Sequence, residues 1–216
     1  VQMIETRSEV ADMLKEEKNI NLIVPRGSNE FVKYIQENTR IPVLGHSEGI
    51  CHGYVDSKAD PKKAIVVALD SKLQYPAACN AMETLLVHEG VAREILPLLV
   101  EKFSSQNVEL VGCNRAQKII PSIKPAVDKD WDTEYTDLKL SLSIVSGLSE
   151  AIEFINAHGS GHTDSIITED ASRAEKFLSE VDSSSVIWNA STRFADGFRF
   201  GLGAEIGIST NKTHAR

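Results

Sequence analysis

Short apolar runs alternate with helical patterns along nearly the whole chain, and this alternation restricts the fold more than any other feature. "NLIVP", "PVLG", "ICHGYVD", "TLLVH", "VELVG", "DSIIT" and "SVIWNAS" suit buried strands, and Val1–Ile4 opens the chain in the same way. "LKLSLSIV" alternates polar with apolar residues and predicts a half-buried strand. Helical patterns fill the intervals. Ser8–Lys18 has Ser8 as a cap, and "GSNEFVKYIQEN" sets Phe31, Val32 and Ile35 on one face. "PKKAIVVALDSKLQ" follows an Asp60 cap with Pro61 in its first position. "VAREILPLLVEKFSS" contains Pro97, "SEAIEFINAHG" stops at Gly159, and "DASRAEKFLSEV" comes last. Residues 124–136 read as a polar connection. Strand and helix in alternation predict an α/β protein with largely parallel sheets.

The 216 residues suffice for one large domain or two small ones. With 42% hydrophobic and 25% charged residues the balance is that of a soluble globular protein. A net charge of −8 argues against a broad nucleic-acid surface. No apolar run approaches the roughly 20 residues of a spanning helix, so no membrane span is expected. Cys51, Cys79 and Cys113 are odd in number, far apart and without a CxxC pair, which points to a reducing compartment rather than a disulfide scaffold. The chain opens on Val1, directly in an apolar run, so a piece of a longer, non-secreted protein is expected. A boundary is expected near Asp56–Ala64, and a glycine-rich tail begins near Gly197.

Cys79 carries the sharpest chemical question. Pro76 breaks the helix before it, and "NAME" after it predicts a short helical turn. A thiol at a helix start meets backbone N–H groups and a positive dipole end, which favour the thiolate, the attacking form in acyl transfer. A buried structural cysteine is the plain alternative, and the local residues leave both open. Cys51 and Cys113 sit in or beside strand-like runs and read as structural. In "VPRGSNEFV" a strand, Gly27-Ser28 and a helix can aim N–H groups at an anion, although no GxGxxG or P-loop is present. His46, Glu48 and His52 lie close in sequence, but a zinc site needs a further cluster, so no metal is expected. Arg193 and Arg199 in "WNASTRFADGFRFGLGAEIG" can form charge-assisted forks with an anionic substrate. Glycines at 197, 201, 203 and 207 there suggest a close approach, with a plain structural turn as the alternative. His158 and His162 flank a helix end in "HGSGHTDS", where His158 can simply favour the dipole.

Taken together, "LIVPRGSNEFV", "PVLGHSEGICHGYVD", "YPAACNAMETLLVH", "GSGHTDSIIT" and "WNASTRFADGFRFGLGAEIGIST" resemble the gamma-glutamyl phosphate reductases, also called glutamate-5-semialdehyde dehydrogenases. The details look most like the reductase half of the bifunctional pyrroline-carboxylate synthases of animals and plants. The resemblance spans nearly the whole chain and implies an aldehyde dehydrogenase-like α/β fold. In that fold a Rossmann-like cofactor domain joins an α/β catalytic domain, with the nucleophile in the cleft. It implies an incomplete NADP-binding part over residues 1–56 and a catalytic domain over 57–200. Residues 201–216 would return toward the cofactor or oligomerisation region. A full reductase of this family is about twice as long, and activity is expected only of the longer protein.

The resemblance also implies site residues. Cys79 is the nucleophile, with backbone N–H groups at Cys79 and Asn80 as oxyanion donors. Gly27, Ser28 and Glu134 correspond to contacts with the NADPH or NADP cofactor. Asn189, Ser191, Thr192 and Arg193 line the substrate funnel, with Arg193 for a carboxylate or phosphate. The implied reaction reduces glutamyl 5-phosphate to glutamate 5-semialdehyde through a Cys79 thioester, on the route to proline. Oxidising aldehyde dehydrogenases carry a general-base glutamate in an "ELGG" stretch; here "PVLGHSEG" has none before Leu44, as suits a thioester that must not be hydrolysed. The expected partner is a small-molecule substrate, with a homo-oligomer and a possible glutamate kinase domain upstream. The compartment is the mitochondrial matrix for an animal bifunctional synthase and the cytoplasm otherwise. The alternatives are a non-catalytic α/β assembly module and an oxidising aldehyde dehydrogenase.

Overall fold

A computed structural model describes residues 1–46, 48–204 and 208–212. Two compact units emerge, one of Val1–Glu48 with the described residues from Ala204 onward, the other of Gly49–Gly203.

The first unit holds α1 (Arg7–Met13) and α2 (Asn29–Glu37). Thr6 rather than Ser8 caps α1. Thr6 accepts from Glu9 N–H while the Glu9 carboxylate reaches back to Thr6 N–H, a reciprocal capping box. Ser28 caps α2 by accepting from Phe31 N–H at 3.3 Å. Leu14, Ile23, Ile35, Ile41 and Val43 form the core. The strands expected at Val1–Ile4, "NLIVP" and "PVLG" reduce to one parallel bridge, Ile23 to Val43. A strand needs a partner along its length, and among the described residues this unit pairs backbone only there. Asn211 Nδ2 donates to Val43 O at 2.9 Å, tying the last described segment to this unit. Gly207 of the glycine-rich tail lies outside the described residues, as do positions 205, 206 and 213–216 of the expected 201–216 segment.

The second unit is a seven-stranded, all-parallel sheet. Its strands are β1 (Cys51–Val55), β2 (Met82–His88), β3 (Glu109–Gly112), β4 (Lys124–Pro125), β5 (Lys139–Val145), β6 (Thr163–Ile167) and β7 (Ser185–Trp188), in the order β4-β3-β5-β2-β1-β6-β7. β1, read in sequence as the close of the first domain, lies near the middle of this sheet. The helices between strands are α3 (Pro61–Leu73), α4 (Glu89–Ser105), α5 (Asn114–Ile119), α6 (Asp128–Trp131), α7 (Leu148–His158) and α8 (Ala171–Glu180).

Side-chain alternation along the strands sorts the helices to two faces. Val55, Leu85 and Val87 pack with Val67 of α3 and Ile95 and Leu99 of α4. Tyr54, Leu86 and Ile166 pack with Ile152 and Ile155 of α7 and Phe177 of α8. β5 therefore corrects the half-buried reading: Leu140–Val145 are all buried, because β5 lies between β3 and β2 under helices on both sides. The polar connection is likewise corrected, since residues 124–131 contain β4 and α6. These pieces are too short to show a period.

Candidate active site

Cys79 lies in the turn between α3 and β2. The helical turn expected at Asn80–Glu83 is absent, and Met82 already begins the strand. Pairing with β1 and β5 on either side outweighs local preference there. The thiol is thus not held at a helix start.

Other chain segments build its setting instead. Gly49 presses its α-carbon against the Cys79 backbone, so closely that an added Cβ would stand 2.0 Å from Cys79 O. Cys51, at the start of β1, donates its S–H to the same carbonyl at 3.3 Å. Cys51 is fully buried, and burial with the nearby Asp164 charge pushes its thiol well above the usual range, so it stays protonated. Asn80 donates its side-chain amide to Ala195 O at 2.9 Å, fastening the turn to the 189–195 segment. A ring nitrogen of His162 lies within 4.8 Å of Cys79 Sγ. His162 is buried just before β6, with Nδ1 2.8 Å from Thr163 Oγ1. Sequence reading noted this histidine only for its place after a helix; no spacing connects it with residue 79.

Cys79, Cys51 and His162 precede or begin their parallel strands, so they gather at the amino edge of the sheet. Glu134 belongs to the same edge. It lies half-buried in the loop before β5, and β5 is the neighbour of β2, with Ser141 opposite Thr84. Two residues further, Thr136 adopts φ +54°, a left-handed conformation rare for a β-branched residue. Its N–H points to Glu83 Oε1 at 3.4 Å, and the other oxygen of Glu83 accepts from Lys72 Nζ at 2.6 Å. Both side chains of this ion pair are buried. Burial raises the Glu83 carboxyl to about 7 against the pull of Lys72, and burial likewise lowers Lys72.

The 189–195 segment divides the expected substrate residues. Asn189 (φ +55°) follows β7 at the carboxyl edge, away from Cys79. Its side chain accepts from Thr168 N–H at 3.0 Å and donates to Thr168 O at 2.9 Å, closing the end of β6. The chain then runs back across the sheet. Ser71 Oγ on α3 donates to Ser191 Oγ at 3.2 Å and accepts from Thr192 N–H at 3.2 Å. Arg193 reaches the Tyr75 ring, 6.0 Å from guanidinium carbon to centroid, beside the Pro76–Cys79 turn. Asn80 Oδ1, Thr192 Oγ1 and Arg193 Nε are buried polar atoms without hydrogen-bond partners among the described residues. Such atoms are costly to leave unmet, and these three lie on residues around this turn.

In the first unit, Gly27 and Ser28 precede the nine residues of α2. A Cβ on Gly27 would stand 2.7 Å from Phe31 Cδ1, so a side chain there would crowd the Phe31 ring. A cavity of about 290 Å³ adjoins Ser28, lined also by Arg7, Val10, Glu30, Phe31 and Tyr34. His52 Nδ1 is 2.9 Å from Asp164 Oδ1, and His46 Nδ1 is 2.8 Å from Ile208 O.

No protein-family model matches the chain. It is 59% identical over 216 residues to a gamma-glutamyl phosphate reductase of Acetivibrio thermocellus, covering all of this chain and 50% of that protein. A crystal structure of gamma-glutamyl phosphate reductase from Thermotoga maritima superposes with a TM-score of 0.94 at 46% identity, over 98% of this chain and 51% of that one. An acetylating aldehyde dehydrogenase from Geobacillus thermoglucosidasius shares the fold, with a TM-score of 0.67 at 20% identity over 90% of this chain and 51% of that one. The fold is thus α/β and aldehyde dehydrogenase-like, and the chain is similar along its whole length to the gamma-glutamyl phosphate reductases, of which it spans about half.

Proposed function

We propose that this chain forms part of an NADPH-dependent reductase that converts glutamyl 5-phosphate to glutamate 5-semialdehyde, on the route to proline. The observation that carries this reading is Cys79 in its turn, beside His162 and three unmet buried polar atoms, in a chain 59% identical to a reductase of that name.

His162 is the group placed to receive the Cys79 thiol proton. Cys79 Sγ then bonds to the acyl carbon, the carbon–oxygen bond to phosphate breaks, and phosphate leaves with the electron pair. Backbone N–H groups at Cys79 and Asn80 steady the negative oxygen as it forms. Arg193 holds an anionic group of the substrate, and Thr192 contributes its hydroxyl. For the cofactor, Gly27 and Ser28 precede the start of α2, where backbone N–H groups suit an anion, and the half-buried Glu134 carboxylate can accept from ribose hydroxyls. NADPH, when bound, supplies hydride to the thioester carbon. Collapse then breaks the carbon–sulfur bond, returns Cys79 as thiolate and releases the aldehyde. Asn189 has no part in this scheme, since Thr168 engages its side chain.

The test uses the longer protein that contains this stretch. Pyrroline carboxylate in equilibrium with its open semialdehyde, with phosphate and NADP, should yield NADPH, and Cys79→Ala should abolish the signal. Wild-type turnover by Cys79→Ala would overturn the reading. Hydrolysis of the acyl-enzyme outpacing its reduction would instead favour an oxidising aldehyde dehydrogenase.

A further inference from the structure

Lys72 and Glu83 form a buried ion pair that the chemistry above does not use. Lys72 is in the last turn of α3, and Glu83 is the second residue of β2, four after Cys79. Both are at most 1% exposed. A buried pair of this kind brings little net stability, so its contacts deserve a functional question.

Both partners turn toward the loop that carries Glu134. Glu83 Oε1 faces Thr136 N–H at 3.4 Å, and Lys72 Nζ stands 5.9 Å from the centre of the Tyr135 ring. Tyr135 OH is itself 2.7 Å from Asp130 Oδ1 and 2.7 Å from Ser141 Oγ on β5, and Lys139 Nζ covers its ring at 4.5 Å. The two residues after Glu134 are therefore held from two sides. The left-handed Thr136 is the price of that arrangement, and such backbone persists only where its surroundings impose it.

We propose that Glu83 is a positioning residue that latches the Glu134 loop to the strand leading from Cys79. The carboxylate that meets the cofactor and the thiol that carries the acyl group are thereby kept in fixed register. The latch rests on the role proposed above for Glu134. Glu83 touches neither substrate nor cofactor; it acts through Thr136.

Two double variants of the longer protein separate the latch from the burial of charge. Lys72→Met/Glu83→Gln removes both charges but keeps an oxygen for Thr136 N–H. Lys72→Met/Glu83→Leu removes both charges and the acceptor. Both replace the pair with neutral groups of similar size, a change that buried ion pairs commonly tolerate. Only the Leu variant should raise KM for NADPH, by about tenfold, the scale of one lost hydrogen bond. KM for the acyl substrate should stay constant in both. Amide exchange at Thr136 should accelerate in the Leu variant alone. This second readout needs no activity, so it judges the latch even if the reductase reading fails. Equal NADPH KM in two folded variants, or unchanged Thr136 exchange in the Leu variant, overturns the proposal. If the Leu variant does not fold, Lys72→Met/Glu83→Gln must by itself retain wild-type NADPH KM and Thr136 exchange; loss of either overturns the proposal as well.

Discussion

Gly49 shows how a residue without a side chain can govern one with a reactive atom. Nothing else can stand where its α-carbon meets the Cys79 carbonyl, because a Cβ would lie 2.0 Å away. Gly49→Ala should force the two backbones apart, costing about 1–3 kcal/mol of stability in the manner of overpacking. Turnover should fall about a hundredfold, since displacing a reacting group by an ångström has that effect. Thermal melting and steady-state rates of the longer protein check both numbers, and a wild-type rate would show that the turn does not depend on this contact. The sequence raised Cys79 as a candidate but not the means of holding it. Pro76 and the small residues after it announced a turn; Gly49, Cys51, Asn80 and His162 come together only through the pairing of β1, β2 and β6 and the return of the 189–195 segment. Distance along the chain hid them.

At the level of elements, helices with strong caps were the most legible. Asp60 before Pro61 foretold α3, and the structure shows Asp60 Oδ1 accepting from Lys63 N–H at 2.8 Å. Asp60→Ala should therefore destabilise the fold by about 1 kcal/mol. A lowered urea midpoint with an unchanged slope would be the signature, whereas an unchanged midpoint would mean the α3 packing against β2 and α4 makes the cap redundant. Pro97 lies on the exposed side of α4, whose 17 residues continue through it. Pattern failed where tertiary neighbours decide. The alternation in β5 promised a wet face, yet Ser141 and Ser143 are buried, and Ser141 is met by the Tyr135 hydroxyl. The short α5 and α6 carry too few residues for any periodicity.

For the molecule as a whole, the doubly wound sheet has two differently furnished edges. The carboxyl edge of β1 and β6 is closed by Asp56, which is fully buried and accepts from Arg173 Nε at 2.7 Å, Thr168 Oγ1 at 2.9 Å and Tyr54 OH at 3.0 Å. Burial alone would raise the Asp56 carboxyl, but those hydrogen bonds, Arg173 foremost, outweigh it and hold the group below the usual carboxylate range. A carboxyl lowered on folding contributes stability that is complete above its unfolded pKa and is lost as pH falls through the folded value. Melting temperature should thus drop below about pH 4. In Asp56→Asn that acid-side drop should be shallower, on a lower plateau; an identical slope would remove Asp56 from the acid response. Parallel sheets commonly bind ligands at the carboxyl edge. Here an ion pair closes that edge at β1 and β6, and the thiol gathers its neighbours at the amino edge.

That gathering has a consequence for how the molecule comes into being. The groups around the thiol reach from Gly49 to Ala195, almost from end to end of their unit. During synthesis the chain can complete its central strands while the segment that secures Asn80 is still unmade. The surroundings of the Cys79 thiol are therefore among the last things finished. A nascent or clipped chain ending before residue 195 would keep the cysteine and lose its mooring, so reactivity and completeness are joined in a single event.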